Sequence, residues 1–168
     1  MRKPSGNVPV PYAGQDVGCA LGETVFHDLA DDPWLQQAVL RSDLLTLRAS
    51  TMSTTRDVAL ADLWDQTLTS YGSHREHVIA TGPTAYPVTQ LWSQRAWDDG
   101  VADGLVWNSR RTRNRLTFLL FMPYGGRRGV NRRRDIDAAA PPLSLFDAPE
   151  LGEVMTAASA NAITVLIP

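Results

Sequence analysis

The spacing of apolar residues changes several times along the chain, and each change predicts an element. Residues 8–13 are extended and proline-punctuated, which predicts an edge strand. Over 15–29 the spacing becomes helical, with Val17, Leu21, Val25 and Leu29 on one stripe at four-residue steps. Asp16 is placed to cap this helix or to stand in its first turn. Cys19, Glu23 and His27 share a neighbouring stripe of the same helix. Residues 44–52 and 58–63 read as strands, separated by the Ser53, Thr54, Thr55 turn cluster.

Residues 64–86 are polar with few apolar anchors, which predicts loop with a short helix. A second helix is expected over 87–99, with Val88, Leu91, Trp92 and Ala96 as its buried face and Gly100 as its stop. A compact strand over 103–107 then delivers Asn108 and Ser109 to its end, and the apolar run 116–122 has strand length. A Gly/Arg/Pro-rich connection covers 124–142, followed by a short helix over 149–160 and a last strand over 162–167. Helices and strands mix without regular alternation and without an internal repeat, so the expected class is α+β.

A length of 168 residues fits one domain, and 43% hydrophobic with 20% charged residues is globular rather than disordered. A net charge of -2 gives no whole-chain reason to expect nucleic-acid binding. Cys19 is the single cysteine, so no internal disulfide and no thiolate metal cluster is expected. The N-terminal residues carry no apolar run of a signal peptide, and no stretch approaches the ~20 apolar residues of a spanning helix. A cytoplasmic protein is the expectation.

Several motifs carry little weight. No phosphate-binding P-loop and no dinucleotide G-x-G-x-x-G is present. His74 and His77 have no companion ligand nearby in sequence, so solvated histidines outweigh a metal site. Cys19 reads as a small buried helical residue rather than a nucleophile. The run 125–134, GGRRGVNRRR, is more readily a solvated loop than a phosphate or RNA site, because no aromatic residues interleave with its charges.

Three segments gain weight together. One joins Tyr12 to Ala20, Glu23 and His27; another joins Tyr86, Thr89 and Gln90 to Asp103, Gly104, Ser109 and Arg110; the third is the apolar run that follows. In this order and spacing the chain resembles the RES-domain family. The resemblance implies a single domain over 1–168 with a strongly bent sheet and flanking helices, similar to ADP-ribosyltransferase toxins. It also implies that the family's N-terminal strand is missing, because a further family arginine belongs ahead of the position matched by Arg2.

The implied activity is that of a toxin that cleaves NAD at the nicotinamide–ribose bond, by hydrolysis or with inorganic phosphate as co-substrate. NAD is then a substrate, and no resident cofactor or metal is expected. Glu23 and Ser109 are the implied catalytic residues, and Arg2, Tyr12 and Arg110 the dinucleotide-binding ones. A helix-turn-helix (Xre-like) antitoxin is the implied partner, with no membrane, no direct nucleic acid, and homo-oligomerisation open. Two alternatives stand beside this: ADP-ribosyl transfer to a protein target, and a truncated RES-like module that binds without catalysis.

Overall fold

The computed structural model describes residues 10–27, 29, 37–79, 86–100, 102–112, 115–122, 129–138, 140–147 and 149–166. The chain opens with β1 (Tyr12–Gly14), α1 (Val17–Glu23), β2 (Gln37–Leu40) and a 3-10 turn (Arg41–Leu44). Then come β3 (Arg48–Ala49), β4 (Met52–Thr54), β5 (Leu60–Asp62), α2 (Asp65–Ser70), α3 (Arg75–Val78) and α4 (Tyr86–Asp99). It closes with β6 (Gly104–Asn108), β7 (Leu116–Leu120), β8 (Ile136–Ala138), β9 (Leu143–Ser144), α5 (Glu150–Ala160) and β10 (Ile163–Leu166). The class is α+β. One sheet has the order β1-β7-β6-β5, and three two-stranded pairings join β10 to β2, β3 to β9 and β4 to β8.

The chain divides into two compact units. One comprises Ala13–Ser53, Trp107–Thr117 and Ala138–Pro168. Its core gathers Leu21 within α1 and Phe26 just after it, Val39 and Leu44, Leu145, the α5 residues Val154, Ala157 and Ala158, and Ile163. β10 runs parallel to β2 in the register Ile163↔Gln37 to Leu166↔Leu40, so the last strand closes on one set far earlier in the chain. Phe26 has no exposed surface. Phe26→Ala is therefore expected to cost about 3–5 kcal/mol, read as a lowered urea midpoint.

The helical stripe over 15–29 is cut short in this unit, and the reason is local. Thr24 turns its hydroxyl back to the Ala20 carbonyl at 2.6 Å. The Phe26 N–H reaches Leu21 O at 2.9 Å, a wider loop than an α-helical turn, and this carries the Phe26 ring into the core. A β-branched pair, Thr24 and Val25, gives little helix propensity to resist this. The run 44–52 also departs from one strand. Leu44 is buried in the 3-10 turn, while Arg48 ties its guanidinium to the carbonyls of Leu45 and Leu47 at 3.0 Å each, bending the chain before β3. β4 takes in Ser53 and Thr54, so the expected turn begins two residues later, at Thr55.

The other unit comprises Met1–Tyr12, Thr54–Val106 and Phe118–Asp137. β5 lies parallel to β6, from Leu60↔Gly104 to Asp62↔Val106. α4 ends at Gly100, whose φ of 64° suits a residue without Cβ. Of its expected buried face, Trp92 and Ala96 are partly buried and Leu91 is not. Trp97 is buried with its ring edge-on to Phe121 at 5.5 Å, whereas Leu91 is 68% exposed. The Trp97 indole carries more apolar area than the leucine, so the covered face takes in Trp92, Ser93, Ala96 and Trp97 and leaves Leu91 outside. Val88 lies outside the residues whose side chains are described.

Arg56 organises this unit. It grips Asp103 with two guanidinium nitrogens at 3.0 and 3.3 Å, Asp135 at 3.2 Å, and the Gly129 carbonyl at 2.8 Å. Both carboxylates are buried, and Asp103 also accepts the Ala59 N–H at 3.0 Å. One guanidinium thus ties the approach to β5 to the start of β6 and to the turn before β8. Arg56→Ala is expected to lower the unfolding midpoint far more than Arg95→Ala, which removes only the exposed pair to Asp99, worth about 0.3–0.5 kcal/mol. The Asp135 carboxyl is held well below the usual carboxylate range by Arg134, the Asn131 N–H and Arg56. A depressed acid stabilises the fold above its unfolded value of about 4 and loses that contribution as pH falls further. The urea midpoint is therefore expected to drop below about pH 4, less steeply in Asp135→Asn.

Candidate functional site

Glu23 is the last residue of α1, and the helix that carries it is fixed at both ends. At its start, Asp16 Oδ1 accepts the Cys19 N–H at 2.8 Å. Asp16 also pairs with Arg115 at 3.1 Å. Gln15 donates its N–H to Leu116 O at 2.9 Å and accepts the Leu116 N–H on its side-chain oxygen at 3.1 Å. Cys19 is fully buried, its sulfur 3.4 Å from Leu116 O and 3.5 Å from Thr117 Oγ1, which makes it packing rather than chemistry. At the far end, the Thr24 back-bond and the buried Phe26 ring stop the helix directly after Glu23.

Ser109 arrives from the end of β6. Its N–H bonds Arg115 O at 2.8 Å, closing the turn that leads to β7. Its hydroxyl donates to Glu23 Oε1 at 2.7 Å across 86 residues of sequence. The same oxygen accepts the N–H groups of Arg111 and Thr112 at 3.1 and 3.0 Å. With 1% of its surface exposed, Ser109 presents Glu23 with a hydroxyl whose proton direction is set by two main-chain donors. Glu23 Oε2 accepts no hydrogen bond from the described residues, and Glu23 is partly exposed. Among the described residues, one carboxylate oxygen is anchored and the other takes no hydrogen bond.

The approach of this turn to α1 depends on Gly22. A Cβ there would stand 2.9 Å from the Cβ of Arg111, closer than carbon atoms pack. Arg111 in turn donates to the Leu29 carbonyl, which braces the chain beyond the helix. Neither Gly22 nor Arg111 was singled out by the sequence. The one available signal was a glycine immediately ahead of a candidate acid.

Tyr12 begins β1 with 51% of its surface exposed, in the other unit from Glu23. Arg110 is partly buried and lines an open groove of about 1050 Å³, together with Arg111, Thr112 and the α5 residues Gly152 and Thr156. Glu23 and Ser109 do not line that groove. Arg2 lies outside the described residues. His74 and His77 make an edge-on ring contact at 5.8 Å. Among the described residues no group of three His, Cys, Asp or Glu side chains could hold a metal, and no helix is long and apolar enough to cross a membrane.

A family model, the RES domain, matches residues 1–145 of the 168. No curated protein and no solved structure matches the chain. α5 and β10 lie beyond the matched span, yet they supply Val154, Ala157, Ala158 and Ile163 to the core beneath α1.

Proposed function

Because the chain belongs to the RES-domain family, a family associated with NAD-related toxin function, we propose that it cleaves NAD at the nicotinamide–ribose bond with Glu23 as its catalytic carboxylate. The observation that carries this reading is the 2.7 Å hydrogen bond that fixes Glu23 Oε1 on Ser109. Nicotinamide leaves as a neutral base from a cationic pyridinium, so its departure needs no general acid. The demand lies at the ribose, where positive charge develops as the C–N bond breaks. A carboxylate fixed in orientation before reaction stabilises that charge without reorganising at the moment of need. Water then gives ADP-ribose and a proton; inorganic phosphate gives the ribose phosphate ester instead.

Ser109 serves here as a positioning residue, since its hydroxyl is taken up by Glu23 and two main-chain N–H groups. A charge-assisted hydrogen bond contributes about 1.5–3 kcal/mol. Ser109→Ala is accordingly expected to lower kcat by about 10- to 100-fold with a smaller change in KM. Tyr12, Arg2 and Arg110 remain proposed contacts for the dinucleotide, a guanidinium being suited to its pyrophosphate. A helix-turn-helix antitoxin is the proposed natural inhibitor.

Incubation of the purified chain with NAD, with and without phosphate, followed by chromatography of the products, tests the reading. Free nicotinamide with ADP-ribose indicates hydrolysis, and a phosphorylated ADP-ribose indicates phosphorolysis. Label from adenine-labelled NAD retained on protein would redirect the reading to ADP-ribosyl transfer. Intact NAD after long incubation at high enzyme concentration would overturn it.

A further inference from the structure

The arginine-rich run before β8 is not absorbed by the proposed NAD chemistry. Five of the chain's 16 basic residues fall between positions 127 and 134, and none of its 18 acidic ones does. The sequence alone reads this as a solvated loop. Residues 131–134 are exposed, as that reading expects, and the structure adds that 131–135 form a braced turn.

Asn131 Oδ1 accepts the N–H groups of Arg133 and Arg134 at 3.0 and 3.2 Å, folding the main chain around its own amide. Asp135 closes the other side: its N–H donates to Asn131 O at 2.7 Å and its Oδ2 accepts the Asn131 N–H at 3.0 Å. Two outside residues pin the turn. The Thr55 hydroxyl donates to Arg134 O at 3.0 Å, and Arg56 reaches Asp135 Oδ2 at 3.2 Å. Arg134 is neutralised by Asp135 at 2.7 Å. Arg132 and Arg133 are exposed and form no ion pair among the described residues. The turn therefore holds out two guanidinium groups with no acidic partner among the described residues, on a main chain whose ordering was completed during folding.

We propose that this turn is a docking site for an acidic segment of a partner protein, with Arg132 and Arg133 each taking a carboxylate. A guanidinium matches a carboxylate through two parallel hydrogen bonds, and a pre-ordered main chain lowers the entropy lost on binding. Nucleic acid fits less well. No aromatic residue from 129 to 137 offers a stacking platform, and the negative net charge of the whole chain opposes a long phosphate track. Two carboxylates need only the local charge. This inference stands independently of the NAD reading.

The probe is a fluorescein-labelled octaglutamate peptide, followed by anisotropy at about 50 mM and 300 mM salt, with an octauridylate oligomer in parallel. The intact chain should bind the peptide more tightly than the oligomer. Arg132→Glu/Arg133→Glu should weaken peptide binding by at least about tenfold. Asn131→Ala keeps every charge but releases the turn, and should weaken binding by about threefold or more. A thermal melt of each variant confirms that it is folded. Peptide affinity unchanged in the double variant, unchanged affinity in folded Asn131→Ala, or tighter binding of octauridylate would each overturn the proposal.

Discussion

Glu23→Gln is expected to reduce nicotinamide release from NAD by about 10²- to 10³-fold while leaving the unfolding midpoint almost unchanged. Glutamine has the shape of glutamate, and its carbonyl oxygen can still accept the Ser109 proton at the 2.7 Å contact. The helix end, the Thr24 back-bond and the buried Phe26 ring are untouched. What disappears is the negative charge proposed to stabilise the developing ribose cation. The loss should appear in kcat, with KM little affected, because the charge interaction strengthens only as the glycosidic bond breaks. A stability loss matching the activity loss would mean that Glu23 supports the fold rather than the chemistry.

Gly22→Ala is the second large effect, and it reaches the same carboxylate through geometry. The added methyl would stand 2.9 Å from Arg111 Cβ, an atom bonded to main chain and unable to swing aside. Relief requires the turn after Ser109 to back away from α1. Ser109 takes its hydroxyl direction from the Arg111 and Thr112 N–H groups in that turn, so the contact to Glu23 lengthens with it. Displacements of this size cost up to about 10²-fold in catalysis, and a kcat loss of about 10- to 100-fold is expected. Gly18→Ala is the matched control on the same helix. A Cβ there meets only Asp16 Oδ1 at 3.5 Å and Ala157 Cβ at 3.7 Å, ordinary contact distances. That variant should retain activity and gain up to about 1 kcal/mol of stability from better helix propensity.

Elements with a long regular pattern were legible in the sequence. α4 and α5 fall within a residue of their expected spans, as does the start of β7, because each carries a repeat long enough to bind one face to a core. Short elements were not. β2, which contains Ala38 between Gln37 and Val39, acquires strand character only through its pairing with β10. α1 stops early because Thr24 and Phe26 find better partners than the helix offers, a tertiary outcome that periodicity does not encode. The same division holds at the site. Glu23 and Ser109 stood out by type and order, and the fold brings them to hydrogen-bond distance. Gly22, Arg111 and the Arg56 cluster did not, since their meaning lies in contacts; Arg56 meets Asp103 and Asp135 across 47 and 79 residues.

Glu23 and Ser109 are proposed to act as one device, and a double-mutant cycle on nicotinamide release tests that most directly. If Ser109 works only by holding the Glu23 carboxylate, then once Glu23 is Gln the serine has nothing left to orient. Glu23→Gln/Ser109→Ala should then be no more than about threefold slower than Glu23→Gln alone. Losses that multiply, with the double variant a further 10- to 100-fold below Glu23→Gln, would contradict the account and give Ser109 a separate role at the substrate.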